Sequence, residues 1–120
     1  MTPETTVSIH PYFKPHEGKL EEFVAGMAAF VERTSSEKDV LYYDFTVSAE
    51  GVVFCREAYV GAEGALAHLG NVDEQLKGAL AISDLIRLEV HGAAAELDKM
   101  REPLAGLPVD WFVLETGLVK

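Results

Sequence analysis

Residues 40–59, VLYYDFTVSAEGVVFCREAY, restrict the possible folds more than any other stretch of the chain. Two runs rich in β-branched and aromatic residues flank SAEG, and Gly51 can adopt the positive φ of a tight turn, so they predict a hairpin. Alternation places Leu41, Tyr43, Phe45 and Val47 on one face of the first strand, and Val53, Cys55, Glu57 and Tyr59 on one face of the second. The opposite faces hold Val40, Tyr42, Val52, Phe54 and Ala58 and are apolar too. A sheet that is apolar on both sides is covered on both sides. Helices of the same chain can cover one face. The other needs a further layer, and a second copy of the chain is the economical source.

The hydrophobic period changes on either side of this hairpin. TVSIHPYF (6–13) alternates, with Val7, Ile9, Pro11 and Phe13 on one side and Ser8, His10 and Tyr12 on the other. Pro11 has no ladder donor, which predicts a sheet edge or a bulge. From about Glu17 to Thr34, Leu20, Phe23, Val24, Met27, Phe30 and Val31 recur at helical spacing. Short helices are expected over about 62–69 and 72–81, followed by a strand over 84–92. In that strand Ile86, Leu88 and Val90 should face one way, and Leu85, Arg87, Glu89 and His91 the other. A helical segment ending near Pro103 and a strand over 109–116 complete the chain.

The resulting order, β-α-β-β-α-β, is the ferredoxin-like split βαβ pattern, an α+β fold with an antiparallel sheet. One domain is expected over residues 1–120, with a core of about 6–92 and an extra C-terminal helix and strand over about 93–117. With 120 residues, 48% of them hydrophobic, the chain can bury a core without disulfides, which its single cysteine, Cys55, could not form internally.

The formal charge of −10, from 20 acids against 10 bases, argues against nucleic acid or an anionic membrane as a partner. MTPETTVSIH lacks the basic region and apolar run of a signal peptide, and nowhere do 18 apolar residues run together. A cytoplasmic protein is expected. HExxH, zinc-type Cys/His spacing and GxGxxG are all missing, so no metal site and no cofactor are expected.

His68 stands out in AYVGAEGALAHLG, among alanines, leucines and glycines. It is either a packing detail or the polar end of a pocket. The surrounding REAYVGAEGALAHLG resembles the antibiotic biosynthesis monooxygenase family of the dimeric α/β-barrel superfamily. Members of that family end a strand in Glu-x-Trp and carry His on the next helix, nine positions after the Trp. Here Glu57 is followed by Tyr59 in place of the Trp, with His68 at the same spacing. DVLYY keeps Tyr43 of the family's Gly-x-x-x-Tyr but has Asp39 for the glycine. KPHEGKLEEF resembles the Lys-Pro-Gly-Lys-x-x-x-Phe lead into the first helix, with two residues inserted.

The resemblance implies a homodimer whose sheets pack face to face, and a pocket between each sheet and its own helices. Tyr43, Cys55, Glu57 and Tyr59 would face that pocket with Val7, Ile9 and Pro11, Met27 would reach it from the first helix, and His68 from the helix above. Some members oxidise phenolic or quinol-type aromatics with O₂ and no cofactor, and a related proton-transfer isomerisation is the neighbouring possibility. His68 would then act as base, Tyr43 or Tyr59 would orient the oxyanion, and Glu57 would hold the imidazole. The alternative is a non-catalytic homodimer, structural or binding a small apolar or aromatic ligand, in which Glu57 and His68 simply pair. The haem-degrading branch has Asn, Trp and a haem-ligating His where this chain has Pro11, His68 and Gly78, so haem is not expected. On bland readings Cys55 is a small buried hydrophobe, His10 and Tyr12 meet the partner, His16 is a solvated turn residue, His91 caps a strand and Trp111 is core or interface.

Overall fold

A computed structural model describes residues 2–120. After a single 3₁₀ turn at Pro3–Thr5 the elements are β1 (Thr6–Pro15), α1 (Leu20–Ser35), β2 (Val40–Val47), β3 (Val53–Val60), α2 (Gly61–Asn71), α3 (Asp73–Ala81), β4 (Ser83–Gly92), α4 (Ala94–Arg101) and β5 (Val109–Val113). The strands form one sheet in the order β2-β3-β1-β4-β5. All neighbouring pairs are antiparallel except β4 and β5. This is the ferredoxin-like arrangement, with α4 and β5 added at one edge.

Helices cover one face of the sheet, and two apolar clusters fill the layer between them. Val7, Ile9, Tyr59, Leu88 and Val90 of the sheet meet Ala62 and Ala65 of α2, together with Leu97, Met100 and Leu104. Phe13 and Val53 meet Phe23 and Phe30 of α1, Val72 and Ala79. The SAEG turn closes as expected, with Gly51 at φ +82 and Gly51 N–H donating to the Ser48 carbonyl at 3.0 Å.

Three local expectations are corrected. A register shift between Val40 and Tyr42 leaves Val40 opposite Tyr59 and Tyr43 opposite Glu57. Val40 therefore joins the helix-side core, while Tyr42 points outward. A second shift, between Tyr12 and Phe13, brings Leu85 opposite Phe13, so Leu85 rather than Ile86 packs inward. In both places one extra residue reverses the alternation. Of the edge or bulge expected for Pro11 the structure gives the irregularity: β1 is the central strand, and its pairing with β3 lapses at His10 and Pro11, just before the second bulge. The buried face of α1 is narrower than its apolar residues suggest. Phe23, Phe30 and Thr34 are buried, whereas Val24 and Val31 are exposed because the helix touches the sheet along one stripe.

Candidate active site

Between the two apolar clusters lies a cavity bounded by β1, β2, β3, β4 and the helices above them. Its walls include Ile9, Pro11, Phe13, Phe23, Phe30 and Leu88, and its polar end is made by Tyr43, Cys55, Glu57 and His68. The space between the lining atoms, counted out to the mouth, is about 730 Å³, while the centre of a water molecule can move through about 70 Å³ of it. A few waters or one slender apolar molecule would fill the latter space. Leu80 and Leu107 also line the cavity and are 38% and 42% exposed, which puts them at its opening.

The polar end is assembled by a strand-to-helix corner. Gly61, at φ +70, turns the chain from β3 into α2, and Glu96 Oε1 accepts from the Ala62 N–H at 2.8 Å. One turn into the helix, Gly64 lies so close to the hairpin that a Cβ there would stand 2.9 Å from Asp39 Cβ and 3.3 Å from Tyr59 Cβ. His68 follows four residues later on the same helix face and is lowered onto Tyr43, Glu57 and Tyr59. Its ring centroid is 5.0 Å from that of Tyr43 and 4.9 Å from that of Tyr59.

Glu57 is 5% exposed and His68 2% exposed. Tyr59 donates its hydroxyl to Glu57 Oε1 at 2.6 Å, and His68 Nε2 lies 3.5 Å from the same oxygen. The other imidazole nitrogen, Nδ1, meets the carboxylate of Glu37 at 3.0 and 3.2 Å. Sequence reasoning missed Glu37. It sits in the short link after α1, 31 residues from His68, and nothing local marks it. Asn71 fixes it there by donating to Glu37 Oε2 at 2.8 Å and to the Arg33 carbonyl at 2.8 Å, while Arg33 donates back to the Asn71 carbonyl.

Burial pushes the Glu57 carboxyl up to about 7, against the hydrogen bonds from Tyr59 and Cys55 that favour its ionised form. Burial also lowers His68, and the Glu37 carboxylate opposes that shift. Neutral His68 next to an acceptor-only carboxylate carries its proton on Nδ1, which leaves the Nε2 lone pair aimed at Glu57. Burial raises Tyr43, Tyr59 and Cys55 far above their ordinary values, so all three stay protonated near neutrality. The group that can gain or lose a proton near pH 7 is therefore Glu57, with an imidazole beside it and a second carboxylate behind the imidazole.

Of the residues expected at a pocket, Ile9, Pro11, Tyr43, Cys55, Glu57 and His68 line the cavity together. Tyr59 does not line it and backs Glu57 from within the core. Met27 packs against the phenylalanine cluster rather than the cavity wall, and Val7 is enclosed in the neighbouring cluster. The carboxylate bonded to the imidazole is Glu37, while Glu57 stands off its other nitrogen.

No family model matches the sequence, and no curated protein does. Among solved structures, MupZ from Pseudomonas fluorescens is 40% identical, covers 98% of this chain and 91% of its own, and superposes with a TM-score of 0.92. That coverage includes the α4–β5 extension. A candidate antibiotic biosynthesis monooxygenase from Nitrosomonas europaea is 17% identical over 76% of this chain and 92% of its own, with a TM-score of 0.67. Another such candidate, from Bacteroides thetaiotaomicron, is 19% identical over 73% of this chain and 87% of its own, with a TM-score of 0.62. At those identities the last two establish the shared fold, and MupZ establishes kinship. The chain therefore belongs to the family of MupZ, and it shares its fold with the two candidate antibiotic biosynthesis monooxygenases.

Proposed function

We propose that this protein is an acid–base enzyme that moves a proton on a small, mostly apolar molecule held in the cavity. The observation that carries this reading is Glu57, buried on the cavity wall 3.5 Å from His68 Nε2, with the other imidazole nitrogen 3.0 Å from Glu37. Glu57 takes the substrate proton and passes it to His68 Nε2. Glu37 holds the imidazole and stabilises the imidazolium that forms. Tyr43, protonated and on the same cavity wall, donates to the oxygen on which negative charge develops. His68 remains within the mechanism, as the relay behind Glu57.

The finer reading is cofactor-independent oxygenation of a phenolic or quinol-type aromatic. Its first step is this same deprotonation, after which the anion gives an electron to O₂. An isomerisation instead returns the proton to another atom. The apolar walls, with one basic end, support either reaction. The protein is also proposed to pair with a second copy through the outer face of the sheet. Tyr42 and Phe112 of that face are 52% and 41% exposed, large apolar side chains that a second copy would cover, as the family resemblance implies.

The test is deuterium uptake from D₂O into a panel of small phenols, quinols and enolisable ketones, with O₂ consumption followed in parallel. Uptake without O₂ loss marks isomerisation, and O₂ loss marks oxygenation. Glu57→Gln should reduce either by about 10²–10⁴-fold, and the wild-type rate should rise with pH through about 7. Glu37→Gln should lower the rate less, with binding of the same ligand unchanged. If the protein binds panel members and neither exchanges nor oxidises any of them, the non-catalytic ligand-binding reading replaces this one.

A further inference from the structure

The face of the sheet turned away from the cavity carries a second cluster of chemically active side chains. His10 on β1 lies directly opposite Glu89 on β4, and His91 follows two residues along β4 on the same face. One ligand atom from each of the three lies within 4.8 Å of the others. His91 Nε2 is 2.9 Å from Glu89 Oε1, while the Arg87 guanidinium binds Glu89 Oε2. Ser8 Oγ, 2.7 Å from His10 Nε2, holds the other imidazole.

The two imidazoles belong to a row of four rings that crosses β3, β1, β4 and β5. Phe54 and His10 are stacked with centroids 5.9 Å apart, His10 and His91 are 4.3 Å apart, and His91 and Phe112 are stacked at 4.4 Å with planes 10° apart. Aromatic neighbours on both flanks limit how far the imidazoles can turn, so little rotamer freedom is left to lose on binding a ligand.

We propose that His10, Glu89 and His91 form a binding site for a divalent transition-metal ion of the zinc class on this face. Two imidazoles and one carboxylate are a donor set that suits such ions, and the site lies on the face proposed above to meet a second copy, so the remaining position is open to solvent or to a donor from that copy. Ligand atoms around one such ion stand about 3.4 Å apart, given metal–ligand distances of about 2.0–2.2 Å. Small side-chain rotations bring the three within that spacing, and both histidines are only half-buried. Arg87 and Ser8 occupy the outer positions, orienting a ligating carboxylate and a ligating imidazole. Asp110, paired with Glu89 across the β4–β5 ladder, adds negative charge nearby, and the chain as a whole carries −10. The three residues are 79 and two positions apart in sequence, and only the β1–β4 register unites them.

The full-length protein, stripped with a chelator, is titrated with Co²⁺ while visible absorption is recorded, and Zn²⁺ is then used to displace it. The expected result is one ion per chain, with the bands of a low-coordinate Co²⁺ site that Zn²⁺ bleaches. His10→Gln and His91→Gln should each weaken binding about tenfold or more, and His16→Gln, in an exposed turn, should leave it unchanged. Circular dichroism checks the folding of each variant, and with two histidine variants the loss of one to misfolding leaves the other to decide. The proposal is overturned if wild-type protein takes up no Co²⁺ at stoichiometric concentration, if both folded variants bind as wild type does, or if His16→Gln weakens binding as much as they do.

Discussion

Glu57→Gln is the substitution on which the reading of the site turns, and its effect on stability can be worked out before any substrate is known. The carboxyl is held at about 7 in the folded chain against an ordinary value of 4.5. The native state therefore binds more protons than the unfolded chain between those two pH values, and stability must fall as pH rises from 4.5 to about 7. At about 1.4 kcal/mol for each pH unit, ionising Glu57 in place costs about 3 kcal/mol by pH 8. Glutamine keeps an oxygen to accept from Tyr59 and cannot ionise. The variant should match wild type near pH 4.5 and exceed it by about 3 kcal/mol at pH 8, read from urea unfolding at a series of pH values. His68 contributes with the opposite sign: its lowered value means stability is lost as pH falls below about 6.5. Because His68 Nε2 lies 3.5 Å from Glu57 the two titrations interact, so the comparison is repeated in a His68→Gln background, where the same difference should persist. A stability difference that stays flat from pH 4.5 to 8 would refute the argument, because Glu57 would then be titrating like a solvated carboxyl. It would also remove the reason for assigning Glu57 the proton.

Two further predictions concern packing and assembly. Gly64→Ala pushes a methyl group to 2.9 Å from Asp39 Cβ, and this overlap should outweigh the roughly 1 kcal/mol gain in helix propensity. Gly78→Ala in α3 meets nothing within 4 Å and should gain up to about 1 kcal/mol, so thermal melts of the pair must move in opposite directions. Tyr42→Arg, on the exposed outer face, should convert a dimer to a monomer in sedimentation velocity, whereas a wild-type monomer at micromolar concentration would dismiss the proposed pairing.

Much of the fold was legible because secondary structure follows local period. The helix from Leu20 and the hairpin around Gly51 declare themselves through spacing that backbone geometry fixes. Part of the candidate site was legible through the family resemblance. Glu57, Tyr59 and His68 lie within one strand-turn-helix unit, so their separation along the chain nearly sets their separation in space. Bulges were not legible. A single extra residue at Leu41 or Ile86 costs little locally and is fixed by what the neighbouring strand offers, yet it moved Val40 and Leu85 to the other side of the sheet.

The sequence by itself determined the order and type of the elements and the two-sided apolar character of the hairpin, and the family resemblance added a histidine on the helix above Glu57. Only the tertiary structure decided that Glu37 closes on His68, that Tyr59 stands behind Glu57 instead of facing the cavity, and that His10 meets Glu89 and His91. The physical reason is distance along the chain. Periodicity records the forces between residues a turn or a pleat apart. Contacts across 31 or 79 residues are set by how helices seat on the sheet and how strands align, and those depend on the packing of the whole core.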